Sequence, residues 1–360
     1  MGMRAWLPKA MLVTALAAPL AAAAIPSEDE VDRAIERGLE YLLATQRADG
    51  SFACRNGETT ALPALAAMAC MAKGHVPGDA KYGVLIDRSL DYILSHHDET
   101  GYFGAKFKYP DQNGHEVDGK MYAHAISTLL LTEVSGMVSQ ERQAQIDAIL
   151  PRATKIILDA QAIKKDRNHA GGWQYTPTTT QSDTSCSGWC LMALRSAKLN
   201  GAPVPKSAID AAVDYMHRHH SKRLGCFGYQ NNEQFPVTLS GAGILCLELC
   251  GKHEDPDSLA AARYLMSVYE DPDKGMLKQE YKYYGMYYAS QGLFQLGGEN
   301  WKEFSEWMYS TWVPLQNPNG SWSGNGGEDS PVYATSMIIL AFAVPYRQLP
   351  VYQRDETVDD

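Results

Sequence analysis

The stretch Gln46-Arg47-Ala48-Asp49-Gly50-Ser51-Phe52 returns near the end of the chain as Gln316-Asn317-Pro318-Asn319-Gly320-Ser321-Trp322. Between them lie Gly101-Tyr102-Phe103, Gly171-Gly172-Trp173, Gly225-Cys226-Phe227 and a weaker Gly275-Met276-Leu277. From Phe52 to Trp322 is 270 residues in five intervals, a mean period of 54. A period of that order marks a repeat architecture.

An amphipathic segment precedes each turn. Val31, Ala34, Ile35, Leu39, Leu42 and Leu43 recur at helical spacing, as do Leu85, Ile86, Leu90, Ile93 and Leu94. A second, more uniformly apolar segment follows each turn, at roughly 60–72, 121–134, 183–197, 237–249, 281–296 and 332–344. A helix that is apolar on all faces must be enclosed by others. Strand signal is slight throughout. The pattern predicts an all-α fold, an (α/α)6 toroid of six helix-hairpin repeats in two concentric rings. An open solenoid would need polar capping repeats, and neither end carries one.

The chain has 360 residues and is 45% hydrophobic, enough for one closed array to form a single domain. Residues 1–24 read as a signal peptide: Arg4 and Lys9 are the positive region, Met11 to Leu20 the apolar core, Ala21 to Ala24 the small-residue cleavage zone. Export to the periplasm or cell exterior is expected. The toroid is assigned to 25–345, and 346–360 to a mostly polar C-terminal tail lying on the outside. The net charge is −10, and −12 once Arg4 and Lys9 are removed, which argues against nucleic-acid binding. No Lys/Arg cluster signals docking to anionic lipid. Seven cysteines, an odd number, fall mostly in apolar helical stretches and read as core thiols. Cys186/Cys190 and Cys246/Cys250 stand four apart, but no His or acid completes a zinc pattern there.

The repeat phrase, a helix followed by Gln-x-x-(Asp/Asn)-Gly-Ser-(Phe/Trp), resembles that of the prenyltransferase/squalene-cyclase superfamily. Gln46 to Phe52 and Gln316 to Trp322 carry it, and Gln161 with Gly171-Gly172-Trp173 is a stretched copy. The resemblance spans about the whole mature chain. It implies that the Gln and the aromatic ring tie adjacent helices together. Terpene cyclases, prenyltransferase β subunits, thioester domains and some polysaccharide lyases share such scaffolds, so function must come from the site. Squalene-hopene-type cyclases resemble one another in Asp-x-Asp-Asp-Thr-Ala. Here Thr180-Gln181-Ser182-Asp183-Thr184-Ser185 stands in that place, with Ser182 where the proton-donating acid is expected. Prenyltransferase zinc binding through Asp-x-Cys is not matched by Asp183-Thr184-Ser185-Cys186, nor is the thioester Cys-Gly-Glu-Gln by Cys226-Phe227-Gly228-Tyr229.

In a toroid of this kind the inner-helix starts face one end of a central cavity, with backbone N–H groups and helix dipoles converging there. The candidate ligand-binding residues at that end are Tyr122, Trp173, Tyr175, Tyr229, Tyr281, Tyr284, Tyr288, Trp322 and Tyr333. The chain holds 20 Tyr. Such rings suit an isoprenoid or other hydrophobic ligand, a cation, or stacked sugars, and they serve equally as core packing. Asp183, at an inner-helix start, reads as an N-cap and as a candidate catalytic acid. His124, on the second inner helix, reads as a core histidine and as a candidate catalytic base. His217, His219 and His220 crowd an outer-helix end and read as solvated surface. The loop Asp111 to Asp118 offers oxygen ligands without EF-hand spacing. No metal and no cofactor are expected. The expected partner is a small hydrophobic ligand or a glycan. The functions left are a cyclase-like protein without the standard acid or zinc site, enzyme or not; a polysaccharide-binding or -cleaving toroid, with Arg55, Lys120 and Arg167 as the nearest cations; or a non-catalytic cell-envelope module.

Overall fold

The computed structural model describes residues 25–54, 59–104, 109–110, 116–117, 120–325, 328 and 330–353. The expected leader at 1–24, Arg55, the acidic end of the tail and most of the loop from Asp111 to Asp118 lie outside them.

Twelve α-helices among the described residues alternate between two rings. The outer members are α1 (Glu28–Thr45), α3 (Gly83–Ser95), α5 (Gln140–Ala162), α7 (Lys206–Arg218), α9 (Pro256–Val268) and α11 (Gly298–Trp312). The inner members are α2 (Ala61–Ala72), α4 (Met121–Glu133), α6 (Thr184–Leu199), α8 (Pro236–Leu249), α10 (Lys282–Leu296) and α12 (Pro331–Phe342). Two short antiparallel ribbons and three 3-10 helices, Met276–Lys278, Val344–Tyr346 and Pro350–Tyr352, complete the described structure. One ribbon pairs β1 (Tyr109–Pro110) with β2 (Glu116–Val117); the other pairs β3 (His220–Ser221) with β4 (Cys226–Phe227). Consecutive inner helices pack side by side, and α12 packs on α2, so the inner ring is closed. The (α/α)6 toroid expected from the repeat is the fold observed. None of the described helices is long and apolar enough to cross a membrane.

Burial follows the sequence pattern. On α1 a single stripe is buried, Val31, Ala34, Ile35, Gly38, Leu39 and Leu42. On α2 every residue from Leu62 to Ala72 is buried, and on α8 every residue from Val237 to Leu249. An amphipathic stripe suits a helix with one wet side, and an all-round apolar surface suits a helix between two layers.

The repeat phrase is a clamp between units. Gln46 Nε2 donates to Gly50 O in its own turn (3.3 Å) and to Leu85 O (3.1 Å) and Ser89 Oγ (3.0 Å) on α3. Gln161 Nε2 donates to Gly171 O and to Ala208 O on α7, both at 2.8 Å. Gln316 Nε2 donates to Gly320 O (2.8 Å) and to Ala34 O on α1 (2.7 Å). The last clamp therefore grips the first helix and closes the outer ring.

The turn glycines permit this close approach. Gly50 has φ +89°, and a Cβ there would stand 2.1 Å from Arg88 O. Gly320 meets Arg37 O in the same way at 2.2 Å. The weak fifth turn departs from the pattern, since Gly275 has φ −68°. Gly50→Ala is expected to cost well over the ~1–2 kcal/mol of a left-handed L-residue, because a carbonyl must also move. Thermal melting checks this, and an unchanged Tm would mean that the turn relaxes freely.

In four of the units the aromatic of the turn is held by its backbone. Phe103 N–H donates to His124 Nδ1 (3.3 Å), Trp173 N–H to Ser187 Oγ (2.9 Å), Phe227 N–H to Ser240 Oγ (3.1 Å) and Trp322 N–H to Thr335 Oγ1 (3.0 Å). Each acceptor lies in the first turns of the next inner helix. His124 is thus the second unit's version of a position held elsewhere by Ser or Thr.

The tail corrects the expectation that it lies outside the body. Leu349, Val351 and Tyr352 are buried. Val351 N–H donates to Glu133 Oε2 (3.0 Å), and the Tyr352 and Tyr287 hydroxyls meet at 2.7 Å. Gln295 Nε2 donates to Tyr352 O (2.8 Å). These partners sit toward the C-terminal ends of α4 and α10, so the segment covers the end of the inner ring away from the helix starts. The seven cysteines are unpaired, and all but Cys54 and Cys250 are buried.

Candidate functional site

A cavity of about 570 Å³ opens at the N-terminal ends of the inner helices. All six contribute to its lining. Ala61, Leu62 and Leu65 come from α2, Tyr122 and Ile126 from α4, Ser185 and Trp189 from α6. Thr238 and Leu239 come from α8, Tyr284 from α10 and Tyr333 from α12. The residues just before these helices, Lys120, Phe235, Tyr281 and Ser330, line it too. The alternation of rings dictates this convergence, because every inner helix runs in the same direction.

Four aromatic side chains, Tyr175, Tyr229, Phe235 and Tyr281, form the mouth. Tyr175, Phe235 and Tyr281 are more than a third exposed, against a lining that is otherwise largely buried. Phe235 meets Tyr281 edge-on at 5.9 Å and Tyr229 at 6.2 Å between centroids. Tyr122 and Tyr175 lie 5.9 Å apart, and Lys120 Nζ stands 4.8 Å from the Tyr175 ring centre. Deeper, Trp189, Leu62, Leu65, Ile126 and Leu239 make an apolar floor.

Two carboxylates hold helix starts around this cavity. Asp183 is the N-cap of α6 and accepts Cys186 N–H (2.8 Å) on Oδ1. Ser185 Oγ also donates to Oδ1 (2.9 Å), and Tyr229 OH reaches Oδ2 (3.4 Å). Tyr122 OH hydrogen-bonds Ser185 Oγ, and Tyr175 OH bonds Tyr229 OH. Asp183 is therefore a buried hub behind the wall, reaching the cavity through the hydroxyls of Ser185 and Tyr229. Burial pushes its carboxyl up to about 6, against the pull of Cys186 N–H and the Ser185 and Tyr229 hydroxyls.

Glu328 lines the cavity directly and is the only carboxylate among the described residues that does. Its Oε2 accepts Tyr283 N–H (2.9 Å) and its Oε1 accepts Tyr284 N–H (2.8 Å). Tyr281, the N-cap of α10, makes no side-chain cap, so Glu328 satisfies two orphan donors from another repeat. Burial pushes it up to about 7, opposed by those two N–H groups and by the Tyr333 hydroxyl. Both acids sit on helix N-termini, where the dipole favours negative charge. Both carboxyls therefore hold a proton to higher pH than an exposed carboxylate does, Glu328 more than Asp183.

Of the rings expected at the site, Tyr122, Tyr175, Tyr229, Tyr281, Tyr284 and Tyr333 line the cavity. Tyr288 stands one layer back, packed on Tyr284 and Trp189. Trp173 and Trp322 lie between the rings, with their indoles donating to Ile157 O and Trp312 O. The structure corrects the reading of His124 as a candidate base. It is fully buried, uses Nε2 on Ala153 O (3.0 Å) and Nδ1 on Phe103 N–H, and does not line the cavity. Burial lowers it to about 4, which keeps it neutral. Ser182, in the place of the expected cyclase acid, is buried and donates to His169 O (2.8 Å). Glu328 was missed from sequence. The available signal was an acid just before an inner-helix start, a position it shares with Asp183.

The sequence matches no protein-family model and no curated protein. Solved structures do match. The type II terpene cyclase MstE from Scytonema, without ligand, superposes with a TM-score of 0.59 at 12% identity, covering 90% of this chain and 100% of that one. An inactive variant of the α-1,6-mannanase GH76A of Salegentibacter sp. HEL1_6, in complex with α-1,6-mannotriose, gives 0.59 at 12% identity, over 87% and 98%. A reducing-end xylose-releasing exo-oligoxylanase gives 0.58 at 11%, over 91% and 93%. Identities this low carry the fold alone: the chain is an α/α toroid.

Proposed function

We propose that the central cavity binds a small hydrophobic ligand of isoprenoid type, inserted through the mouth of Tyr175, Tyr229, Phe235 and Tyr281. The observation that carries this reading is the lining: aliphatic and aromatic side chains surround a space whose size suits one small molecule, with Glu328 the one carboxylate on the wall among the described residues. Glu328 and the Tyr333 hydroxyl interact at the cavity wall and would receive the ligand's polar end. Both Glu328 oxygens already accept a backbone N–H, at 2.9 and 2.8 Å, which favours the carboxylate and weakens the group as a proton donor. The site therefore suits binding, or proton exchange with a polar head group, better than acid-initiated cyclisation.

A glycan is the second reading. It is favoured by the exposed rings at the mouth, which suit sugar stacking, and by the Glu328 carboxyl on the wall, which burial raises toward neutral pH. One experiment separates the two. The protein is purified without detergent, its organic extract is examined by mass spectrometry, and displacement of an apolar fluorophore by prenyl alcohols is compared with displacement by mannan and xylan oligosaccharides. The expected result is a stoichiometric lipid and displacement by prenyl alcohol. Leu65→Trp, which fills the floor, should reduce probe binding by roughly tenfold or more while leaving the circular dichroism unchanged. No lipid, no probe binding and clear oligosaccharide binding would sink the first reading in favour of the second.

A further inference from the structure

Phe235, the residue from which α8 starts, stands in the left-handed backbone region at φ 54°, ψ 46°. Among the described residues only Glu254 and Arg347 share a positive φ without being glycine; both are exposed, and neither lines the cavity. For a bulky side chain this conformation is an outlier, because Cβ crowds the following carbonyl oxygen.

The local sequence favours the opposite. Pro236 follows, and a proline pushes the residue before it toward extended backbone. A helix start is ordinarily extended too, with Ser, Thr, Asp or Asn capping the first N–H groups. Asp183 and Ser330 do this for α6 and α12, accepting Cys186 N–H and Tyr333 N–H from extended backbones. The Phe235 side chain caps nothing.

The surroundings hold the conformation in place. Phe235 O accepts Leu239 N–H (3.2 Å) and the Thr238 hydroxyl (3.0 Å). Gln234 O accepts Tyr229 N–H (3.0 Å). Glu233 accepts the Ser221 hydroxyl (2.8 Å) and pairs with Arg223. A strained residue persists only where its neighbours over-determine it, and such residues gather at ligand clamps and switches.

Burial does not account for the strain, since the Phe235 ring is 38% exposed. What the conformation secures is the ring's position on the cavity lining, against Tyr229 and Tyr281. The ring planes meet at 74° and 88°, so the three rings stand crosswise as a rim instead of stacking.

We propose that Phe235 is the specificity-determining residue of the mouth: its ring, fixed there by the left-handed start of α8, admits slender flexible chains and turns away wide rigid ones. The proposal rests on reading the cavity as a ligand site and adds which shapes that site accepts.

The test places a reporter thiol on the cavity floor of the full chain by Leu65→Cys. N-ethylmaleimide serves as the narrow reagent and N-pyrenylmaleimide as the wide one, with labelling at position 65 read by peptide mass spectrometry. After correction for their rates with free glutathione, the wide reagent should react at least about tenfold more slowly than the narrow one, which takes only a modest entry barrier. Adding Phe235→Ala should raise the relative rate of the wide reagent by about tenfold, and Phe235→Tyr should leave it unchanged. Phe235→Gly should act like the alanine variant and melt within about 2 °C of the parent, because relief of the backbone offsets the lost ring contacts. The proposal is overturned by a relative rate that Phe235→Ala does not change, or by a floor thiol that neither reagent reaches in any variant. A glycine variant melting more than about 5 °C below the parent would overturn it too, by making Phe235 a packing residue. Filtering of the reagents without displacement by prenyl alcohol would leave the proposal standing and remove the isoprenoid reading; displacement without filtering would do the reverse.

Discussion

Trp322→Ala is expected to destabilise the protein by about 3–5 kcal/mol, the cost of deleting a large buried aromatic and leaving a cavity. Trp322 is fully enclosed where the sixth unit meets the first. Its indole N–H donates to Trp312 O (2.8 Å), its ring meets Phe342 edge-on at 5.8 Å, and a Cβ added at Gly38 of α1 would meet it at 3.3 Å. The substitution thus removes packing, orphans a buried carbonyl and loosens the seam beside the Gln316–Ala34 clamp. Against a domain stability of about 5–15 kcal/mol, this is a large fraction. Urea unfolding measures it. Trp322→Phe should recover much of the loss, since it retains most of the ring. A loss below about 1 kcal/mol for the alanine variant would show that the seam does not hold the ring closed.

Replacing Glu133 with Gln should flatten the pH dependence of stability. Glu133 is buried, and burial pushes its carboxyl from 4.5 up to about 7, opposed by the Ser196 hydroxyl and Val351 N–H. The folded state holds the proton more tightly than the unfolded one. The stabilising contribution is therefore full below pH 4.5 and is lost as pH rises through 7. A tenfold difference in proton affinity between the two states is worth about 1.4 kcal/mol, so the change across that window is on the order of 3 kcal/mol. Glu133→Gln stays neutral throughout and should be more stable than the parent at pH 8, with little difference near pH 4.5. Ser196 can turn its hydroxyl to accept from the amide, so the cluster keeps its bonds. Thermal melts of both proteins from pH 4.5 to 8 test this, and parallel Tm curves would refute the assignment. Glu328, also raised to about 7, adds a slope of the same sign.

Much of the architecture was legible because it repeats. The phrase from Gln46 to Phe52 carries a clamp, a turn and a ring anchor within seven residues, and its copy at Gln316 implied that the last unit resembles the first. The helix periods then separated outer from inner members. The weak Gly275 turn was also the one whose backbone departs from the others. The site was legible in part. Six of the nine rings chosen from their position at inner-helix starts line the cavity, because helix direction alone brings those positions together. His124 misled because an imidazole carries the same chemistry on paper in a cavity wall and in a repeat anchor. Only its partners, Phe103 N–H and Ala153 O, tell the two apart.

What sequence alone determined is whatever depends on local spacing: the repeat, the two classes of helix, the closed ring and the end at which the cavity opens. What tertiary structure decided is whatever depends on groups far apart in the chain. Glu328 caps α10 from 44 and 45 residues away. Val351 reaches Glu133 across 218 residues and turns an apparently polar tail into a cover. His217 and His220 meet Asp257 only because the outer ring sets α7 beside α9. Periodicity reports the environment of a helix face, since burial repeats with the helix turn. It carries no information about which carboxylate from another repeat meets a given backbone N–H, because that is set by how the rings close.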